Sequence, residues 1–241
     1  MIRDGNQNQI LEMDSFLMIG QSNMAGRGDI EDVKPIRDPR CYMLRNGRWQ
    51  PMREPINPDR PIFEGRYRSG VSLAASFAES YAKEQQRNVG LIPCADGGTK
   101  IALWQPRELL YDHAVLQTKL AQRTSCLKGI LWHQGESDCI LEEDVAAYAE
   151  RFLRLMTALR KEIGDVPVVI GQLHPDVGGI YPVGDRVPKV NAVLAQVAKQ
   201  LPRCAMATVE GLTLKDDSLH FDSVSCRELG KRYYEQYKTL L

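Results

Sequence analysis

Short runs of consecutive apolar residues alternate along the chain with longer stretches in which apolar positions recur every three or four residues. The runs fall at 16–19, 89–93, 129–132, 166–170 and 205–209. None shows the strict alternation of a strand with one wet face, so each predicts a strand buried on both sides. The stretches between them predict helices that bury one stripe. The clearest stripe carries Val145, Tyr148, Ala149, Phe152, Leu155, Met156 and Leu159. Others run through Leu73, Phe77 and Tyr81; through Val190, Leu194, Val197 and Leu201; and through Leu229, Tyr233 and Tyr237. Strands and helices in this alternation predict an α/β fold with a parallel sheet covered on both faces.

The alternation breaks between 29 and 70, where Pro, Arg and Asp are frequent. Inside this stretch, CYMLRNGRWQPM places two short runs on either side of Asn46-Gly47, a pair that favours the tight turn of a hairpin. We read 29–70 as an irregular insertion after the first strand, within a single domain spanning 1–241, a length that suits one sizeable core. Arg37, Arg40, Trp49, Arg60, Arg66 and Tyr67 have the planar and hydrogen-bonding groups that suit sugars, and are candidates for one wall of a pocket; a solvated loop is the other reading.

Charge narrows the partner. Lys plus Arg and Asp plus Glu are both 31, so no global field gathers nucleic acid or an anionic membrane, and a small-molecule partner is expected. The first fifteen residues mix charges and amides where an export signal needs an apolar run. Six cysteines, at 41, 94, 126, 139, 204 and 226, show no Cys-x-x-Cys spacing and read as free thiols of a cytoplasmic protein. Nothing in the composition speaks to oligomeric state.

In open parallel sheets, ligands gather where the strands end. The five run ends lead into GQSNMAG, CADGGTKIALW, WHQGESD, GQLHPD and KDDSLHFD. Ser22, just past the first run, is either a helix cap or a nucleophile. A nucleophile needs a base, and the chain has four histidines. His113 falls in a helical stretch, whereas His133 and His174 stand at run ends. His220 is set apart by Asp217 three residues earlier, a spacing that lets one turn hold a carboxylate beside the imidazole. Donors for an oxyanion are the Ser22 N–H, the amides of Gly97 and Gly98, and the side chain of Gln134. Glu136 is a supporting carboxylate or a solvated acid. His133, Glu136, Asp217 and His220 also suit a metal, though without the His-Glu-x-x-His spacing of zinc peptidases.

Gly-Gln-Ser-Asn-Met at 20–24, Gly-Gly-Thr at 97–99, His-Gln-Gly-Glu-Ser at 133–137 and Asp-x-x-His at 217–220 together resemble the motif set of the SGNH hydrolases. The likeness is to the branch of acetylxylan esterases and sialate O-acetylesterase-like proteins, and it covers residues 16 to 222. It implies a three-layer αβα sandwich of the flavodoxin-like kind with a five-stranded parallel sheet, and a serine esterase that needs neither metal nor cofactor. Under it Ser22 is the nucleophile, His220 the general base and then acid, and Asp217 its orienting acid. Ser22, Gly98 and Gln134 form the oxyanion hole, with Gln21, Asn23, Gly97 and Glu136 in support. Gly-Gln-Ser and His-Gln-Gly-Glu depart from the Gly-Asp-Ser and Gly-x-Asn-Asp of the wider superfamily but match this branch.

The implied substrate is a small acetylated sugar or oligosaccharide, since a chain read as unexported has little access to polymeric xylan. Metal-assisted hydrolysis and a non-catalytic carbohydrate-binding protein on the same fold are the alternatives. No Gly-x-Ser-x-Gly elbow, Walker loop or complete Gly-x-Gly-x-x-Gly occurs.

Overall fold

The computed structural model describes residues 12–58, 68–179 and 182–241. Its strands are β1 (Met13–Gly20), β2 (Cys41–Arg45), β3 (Arg48–Pro51), β4 (Asn88–Pro93), β5 (Cys126–His133), β6 (Val168–Gly171) and β7 (Cys204–Ala207). Its helices are α1 (Ser22–Ala25), α2 (Leu73–Gln85), α3 (Leu109–Ala121), α4 (Glu142–Ile163), α5 (Arg186–Gln200) and α6 (Ser223–Lys238). All five apolar runs are strands, and the four stripes lie on α2, α4, α5 and α6.

Consecutive residues of β1 face opposite layers, which is why the run is apolar without a break. Leu17 and Ile19 pack with α3, α4 and α5, while Phe16 and Met18 pack with α2 and α6. On α4, Val145, Tyr148, Phe152, Leu155, Met156, Leu159 and Ile163 are buried along one stripe. Each large apolar side chain so buried contributes about 1.5–3 kcal/mol to folding.

The sheet order is β3-β2-β4-β1-β5-β6-β7. The block β4-β1-β5-β6-β7 is parallel throughout and has the expected flavodoxin-like order. The expected count of five is nevertheless too low, because the hairpin is part of the sheet. β2 lies parallel to β4, with Cys41 opposite Val89 and Met43 opposite Leu91, and β3 forms an antiparallel edge. Asn46 and Gly47 take φ of 51° and 72°, as the tight turn requires. The hairpin attaches because Cys41 and Met43 are apolar on the buried face, and because Trp49 fills the space left by Gly90: a Cβ there would stand 2.5 Å from the indole.

This placement takes Trp49 and Arg40 out of the candidate pocket wall. Trp49 donates to Thr124 Oγ1 at 3.0 Å and covers the amino-terminal half of β4, while Arg40 is held by Asp38 and Gln86. Arg37 lies exposed in the segment before β2. Arg60, Arg66 and Tyr67 lie outside the described residues, as do residues 1–11, on which most of the export-signal reading rests. All six cysteines are unbridged; Cys41, Cys94, Cys139 and Cys226 are buried.

β1 sits between β4 and β5; the chain leaving β1 crosses to the β4 side, whereas the chain leaving β5 crosses to β6 on the other side. The carboxyl end of β1 is therefore at the switch point of the sheet, where the flanking loops part and leave a crevice. Ser22 follows immediately.

Candidate active site

The turn that presents Ser22 depends on Gly20. Its φ is +128°, and a Cβ there would stand 2.1 Å from the carbonyl oxygen of His133, so only glycine brings β1 this close to the end of β5. The Gln21 N–H donates to that same carbonyl at 2.9 Å. Ser22 then opens α1, where its own N–H has no carbonyl of the helix to bond. The cap position belongs to Gln21, so the Ser22 hydroxyl is not spent on capping.

The hydroxyl meets a histidine from the far end of the chain. Ser22 Oγ lies 2.9 Å from His220 Nε2, and His220 Nδ1 lies 2.7 Å from Asp217 Oδ2. The turn between β7 and α6 makes this possible. Lys215 N–H donates to the His220 carbonyl at 2.7 Å, Ser218 stands at φ +53°, and Asp217 Oδ1 accepts the N–H groups of Leu219 and His220 at 3.0 and 2.9 Å. The spacing of three residues thus lets one carboxylate fix both the backbone and the ring of the histidine.

Charge follows the geometry. Burial holds His220 below the ordinary imidazole value of 6.5; Asp217 opposes this, and the cations Arg27 and Lys215 reinforce it. Partial desolvation pushes Asp217 up, but the hydrogen bonds from His220 and Leu219 outweigh it and keep the carboxyl below its usual range. An unprotonated imidazole paired to an ionised carboxylate is the state in which a serine proton can be taken.

Asn23 locks this turn from behind. Its Nδ2 donates to Leu219 O at 3.1 Å and its Oδ1 accepts Phe221 N–H at 3.2 Å, so it grips the backbone on both sides of His220. The same Nδ2 donates to Glu136 Oε1 at 2.6 Å. Glu136 is fully buried, and desolvation raises it to about 7 against the pull of Asn23. It touches Asn23 and not the His220 ring, so it supports the turn at one remove.

The Gly97-Gly98 turn is pinned as well. Asp96 N–H donates to Gly20 O at 2.9 Å, Thr99 Oγ1 donates to Asp96 O at 2.8 Å, and Trp104 Nε1 donates to Thr99 Oγ1 at 3.0 Å. A Cβ on Gly97 would stand 3.7 Å from the Cβ of Ser22, whereas one on Gly98, at φ +74°, would meet nothing within 4 Å. Gly97 is thus the glycine packed beside Ser22.

Gln134 is placed differently from its expected role as an oxyanion donor. Its Nε2 has Thr99 O at 2.9 Å, Gln21 Oε1 at 3.2 Å and a close contact with Asp138 Oδ2, three acceptors for two hydrogens. Its Oε1 lies 2.9 Å from the Tyr148 hydroxyl. This amide reaches an oxyanion only by giving up one of these bonds, and it stands here as a strut between β5 and the Gly-Gly-Thr turn. Gln21 joins the same network, its Oε1 facing the N–H groups of Gly135 and Ser137 at 3.5 and 3.4 Å.

Residues 12–239 match the family described as carbohydrate esterase, sialic acid-specific acetylesterase. The chain belongs to this family. Membership makes it a carboxylic ester hydrolase of the carbohydrate-esterase kind. A probable carbohydrate esterase of Arabidopsis thaliana is 30% identical over 241 residues, covering 92% of this chain and 89% of the relative. The X-ray structure of the Arabidopsis thaliana protein superposes with a TM-score of 0.81 at 26% identity, covering 94% of this chain and 98% of that one. The crystal structure of NanS has a TM-score of 0.73 at 16% identity, covering 95% and 97%, a likeness of fold.

Within this esterase family member His133 and His174 make structural contacts. His133 is fully buried, with Nδ1 3.0 Å from the Tyr233 hydroxyl, and desolvation lowers it to about 3. His174 Nε2 lies 2.9 Å from Leu212 O and its Nδ1 accepts Asp176 N–H at 3.2 Å, so its ring orders the loop after β6. His113 is on α3. Of the four possible metal ligands, His133 and Glu136 lie inside the fold, His220 is partly buried and Asp217 is exposed; among the described residues no three His, Cys, Asp or Glu side chains gather as a metal requires. Among the described residues, too, no helix is long and apolar enough to cross a membrane.

Sequence reasoning missed Arg27 and Asp138. Asp138 accepts Ile101 N–H at 3.0 Å besides Gln134, and burial raises it to about 6. Its position four residues after Gln134, one turn on, was the available signal. Arg27 closes the segment that opens with Gly-Gln-Ser, and its guanidinium lies against Gly97.

Proposed function

We propose that the protein is a serine esterase that removes O-acetyl groups from a small acetylated carbohydrate, of the sialate or xylo-oligosaccharide type, through an acyl-enzyme on Ser22. The observation that carries this reading is the unbroken chain of polar contacts from Ser22 Oγ through His220 to Asp217, at 2.9 and 2.7 Å. His220 takes the serine proton as the hydroxyl attacks the acetyl carbonyl. The oxyanion faces the amides of Ser22 and the Gly97-Gly98 turn, and the sugar alcohol departs with the proton held by His220. Water then repeats the sequence and acetate leaves.

Gly98 remains the donor chosen on the sequence, and the packing of Gly97 beside Ser22 supports this turn as the second wall of the hole. Six unbridged cysteines support a cytoplasmic place of work. The test is Ser22→Ala assayed with 4-nitrophenyl acetate, together with intact-mass detection of a 42-Da acetyl adduct on wild type quenched at acid pH, about two pH units below the imidazole range. Loss of turnover and of the adduct is expected; a folded Ser22→Ala protein that keeps most of its turnover overturns the assignment.

A further inference from the structure

We propose that the outward face of α3 is where two copies of this chain meet, as a two-fold dimer with the helices packed antiparallel. α3 turns Leu110, Tyr111, Ala114, Thr118 and Ala121 inward. Its opposite side should then be polar, as on other helices that cover a sheet. Leu109 and Leu116 are instead 55% and 65% exposed, and Leu120 is half-buried. Spacings of seven and four residues set the three leucines on one stripe of the outer face. An exposed apolar stripe of this kind marks a place of contact.

The two ends of the stripe say what covers it. At the carboxyl end, Leu120 adjoins the β2-β3 hairpin, where a Cβ on Gly47 would stand 3.8 Å from its Cδ2. A cavity of about 460 Å³ opens there, lined by Leu44, Trp49 and Leu120, with Arg48 and Arg123 supplying its charges. At the amino end, the exposed Leu109 stands beside Glu108 and near Asp112. Arg107 precedes the helix and offsets one of these acids, so this end stays net acidic. Glu108, Asp112, Arg48 and Arg123 form no ion pair with any described residue, whereas Lys119 is matched by Glu162 at 2.6 Å.

One end thus carries an exposed leucine with acids and the other an apolar hollow with cations, about 16 Å away along the helix. Within one molecule they cannot meet. A two-fold axis passing beside Leu116 joins them twice, because a symmetric contact repeats each pairing. Each Leu109 enters the cavity of the second copy beside Leu120, Glu108 and Asp112 face Arg123 and Arg48, and Leu116 meets its own counterpart. A parallel arrangement would set acid on acid and base on base. The leucines supply the affinity, while the exposed charges fix the direction of the helices. This contact is independent of the chemistry at Ser22.

Sedimentation velocity of the full chain, from about 1 to about 500 µM, tests it. We expect a monomer–dimer equilibrium with Kd in the micromolar range, as suits a small interface. Leu116→Glu sets like charges face to face on the axis and should raise Kd about tenfold or more. Its circular dichroism and its turnover of 4-nitrophenyl acetate per chain should match wild type, because the side chain is exposed. Leu109→Ser removes the group that fills the cavity and should weaken the dimer similarly, so the outcome does not hang on one variant. Glu108→Arg and Arg123→Glu should each raise Kd about threefold or more, and the two together should recover most of the loss, since the pair is re-formed in the opposite sense. A chain that stays monomeric at the highest concentration would leave the stripe to a different partner and overturns the proposal. A dimer indifferent to both leucine variants, or one that the combined charge reversal fails to restore, overturns it equally.

Discussion

Asn23 Nδ2 donates to Glu136 Oε1 at 2.6 Å, and the same amide nitrogen holds Leu219 O at 3.1 Å. The residue after Ser22 is thus the link between a buried acid and the backbone that carries His220. In catalytic terms Asn23 is a positioning residue, since it touches neither the ring nor the Ser22 hydroxyl.

Replacing it separates position from chemistry. In Asn23→Ala the turn at 219–221 loses two hydrogen bonds and Glu136 loses one, while Ser22, His220 and Asp217 all remain. We expect kcat for 4-nitrophenyl acetate to fall by about 10- to 100-fold, since small misplacements of a catalytic group cost that much, with a smaller change in KM. A variant that unfolds normally and keeps full kcat would show that Asp217 alone suffices to hold His220.

Asp217→Asn tests the orienting acid. The ring would lose its charged partner and the imidazolium its stabilisation, so kcat should drop by about 100- to 10,000-fold. In wild type the acid limb should lie below the ordinary imidazole value of 6.5, because burial and the nearby cations disfavour the charged ring and activity is lost only as pH falls through that lowered value. Titration of kcat/KM checks both; a limb above that value contradicts the burial of His220.

The five strands and four stripes were legible because burial on two faces writes uninterrupted apolar runs and burial on one stripe writes a period. The candidate catalytic residues were legible for another reason: Ser22 follows the end of β1, and Asp217 stands three residues before His220 in the loop between β7 and α6. The place of the hairpin was not legible. Asn46-Gly47 announces a turn, but nothing local says that β2 pairs with β4, a contact decided by the gap at Gly90 that Trp49 fills. Trp49 looked like a sugar platform for the same reason, an exposed-reading aromatic whose partner lies forty residues away. The commitment of the Gln134 amide was hidden because its acceptors come from three separate segments.

Glu136 makes stability depend on pH with a definite sign. Its folded value is about 7 against an ordinary 4.5, so the native state binds the extra proton between these limits. The stability this contributes is complete below the lower value and is lost as pH rises through the upper one, on the order of a few kcal/mol. Asp138, raised to about 6, acts in the same direction. Urea unfolding of wild type should therefore show falling stability from about pH 5 to about pH 8, and Glu136→Gln should flatten the fall. An equal slope in the two proteins would mean that Glu136 is ionised in the fold throughout.

Gly20→Ala isolates the turn that presents Ser22. The new Cβ would overlap the His133 carbonyl at 2.1 Å and the backbone would hold a side chain at φ +128°. We expect a loss of about 3 kcal/mol or more in stability and a loss of activity that persists under conditions where the protein remains folded. Thermal melting and turnover at low temperature read the two effects apart, and an alanine variant of normal stability would mean that β1 and β5 approach less closely than stated.

Gln134→Ala decides between strut and donor. A side chain that donated to the oxyanion would cost about 100- to 1,000-fold in kcat when removed, with little effect on folding. A strut bonded to Thr99, Gln21, Asp138 and Tyr148 would instead cost stability, because Asp138 and the Thr99 carbonyl would be left buried without this partner. We expect the second pattern: a lowered melting temperature and a kcat reduced less than about tenfold in the folded protein. Asp138→Asn serves as the control, since it disturbs the same network without touching the Gln134 side chain itself. If it reproduces the melting defect while Gln134→Ala alone abolishes turnover, the amide must turn towards the substrate during the reaction, and the hole has three donors after all.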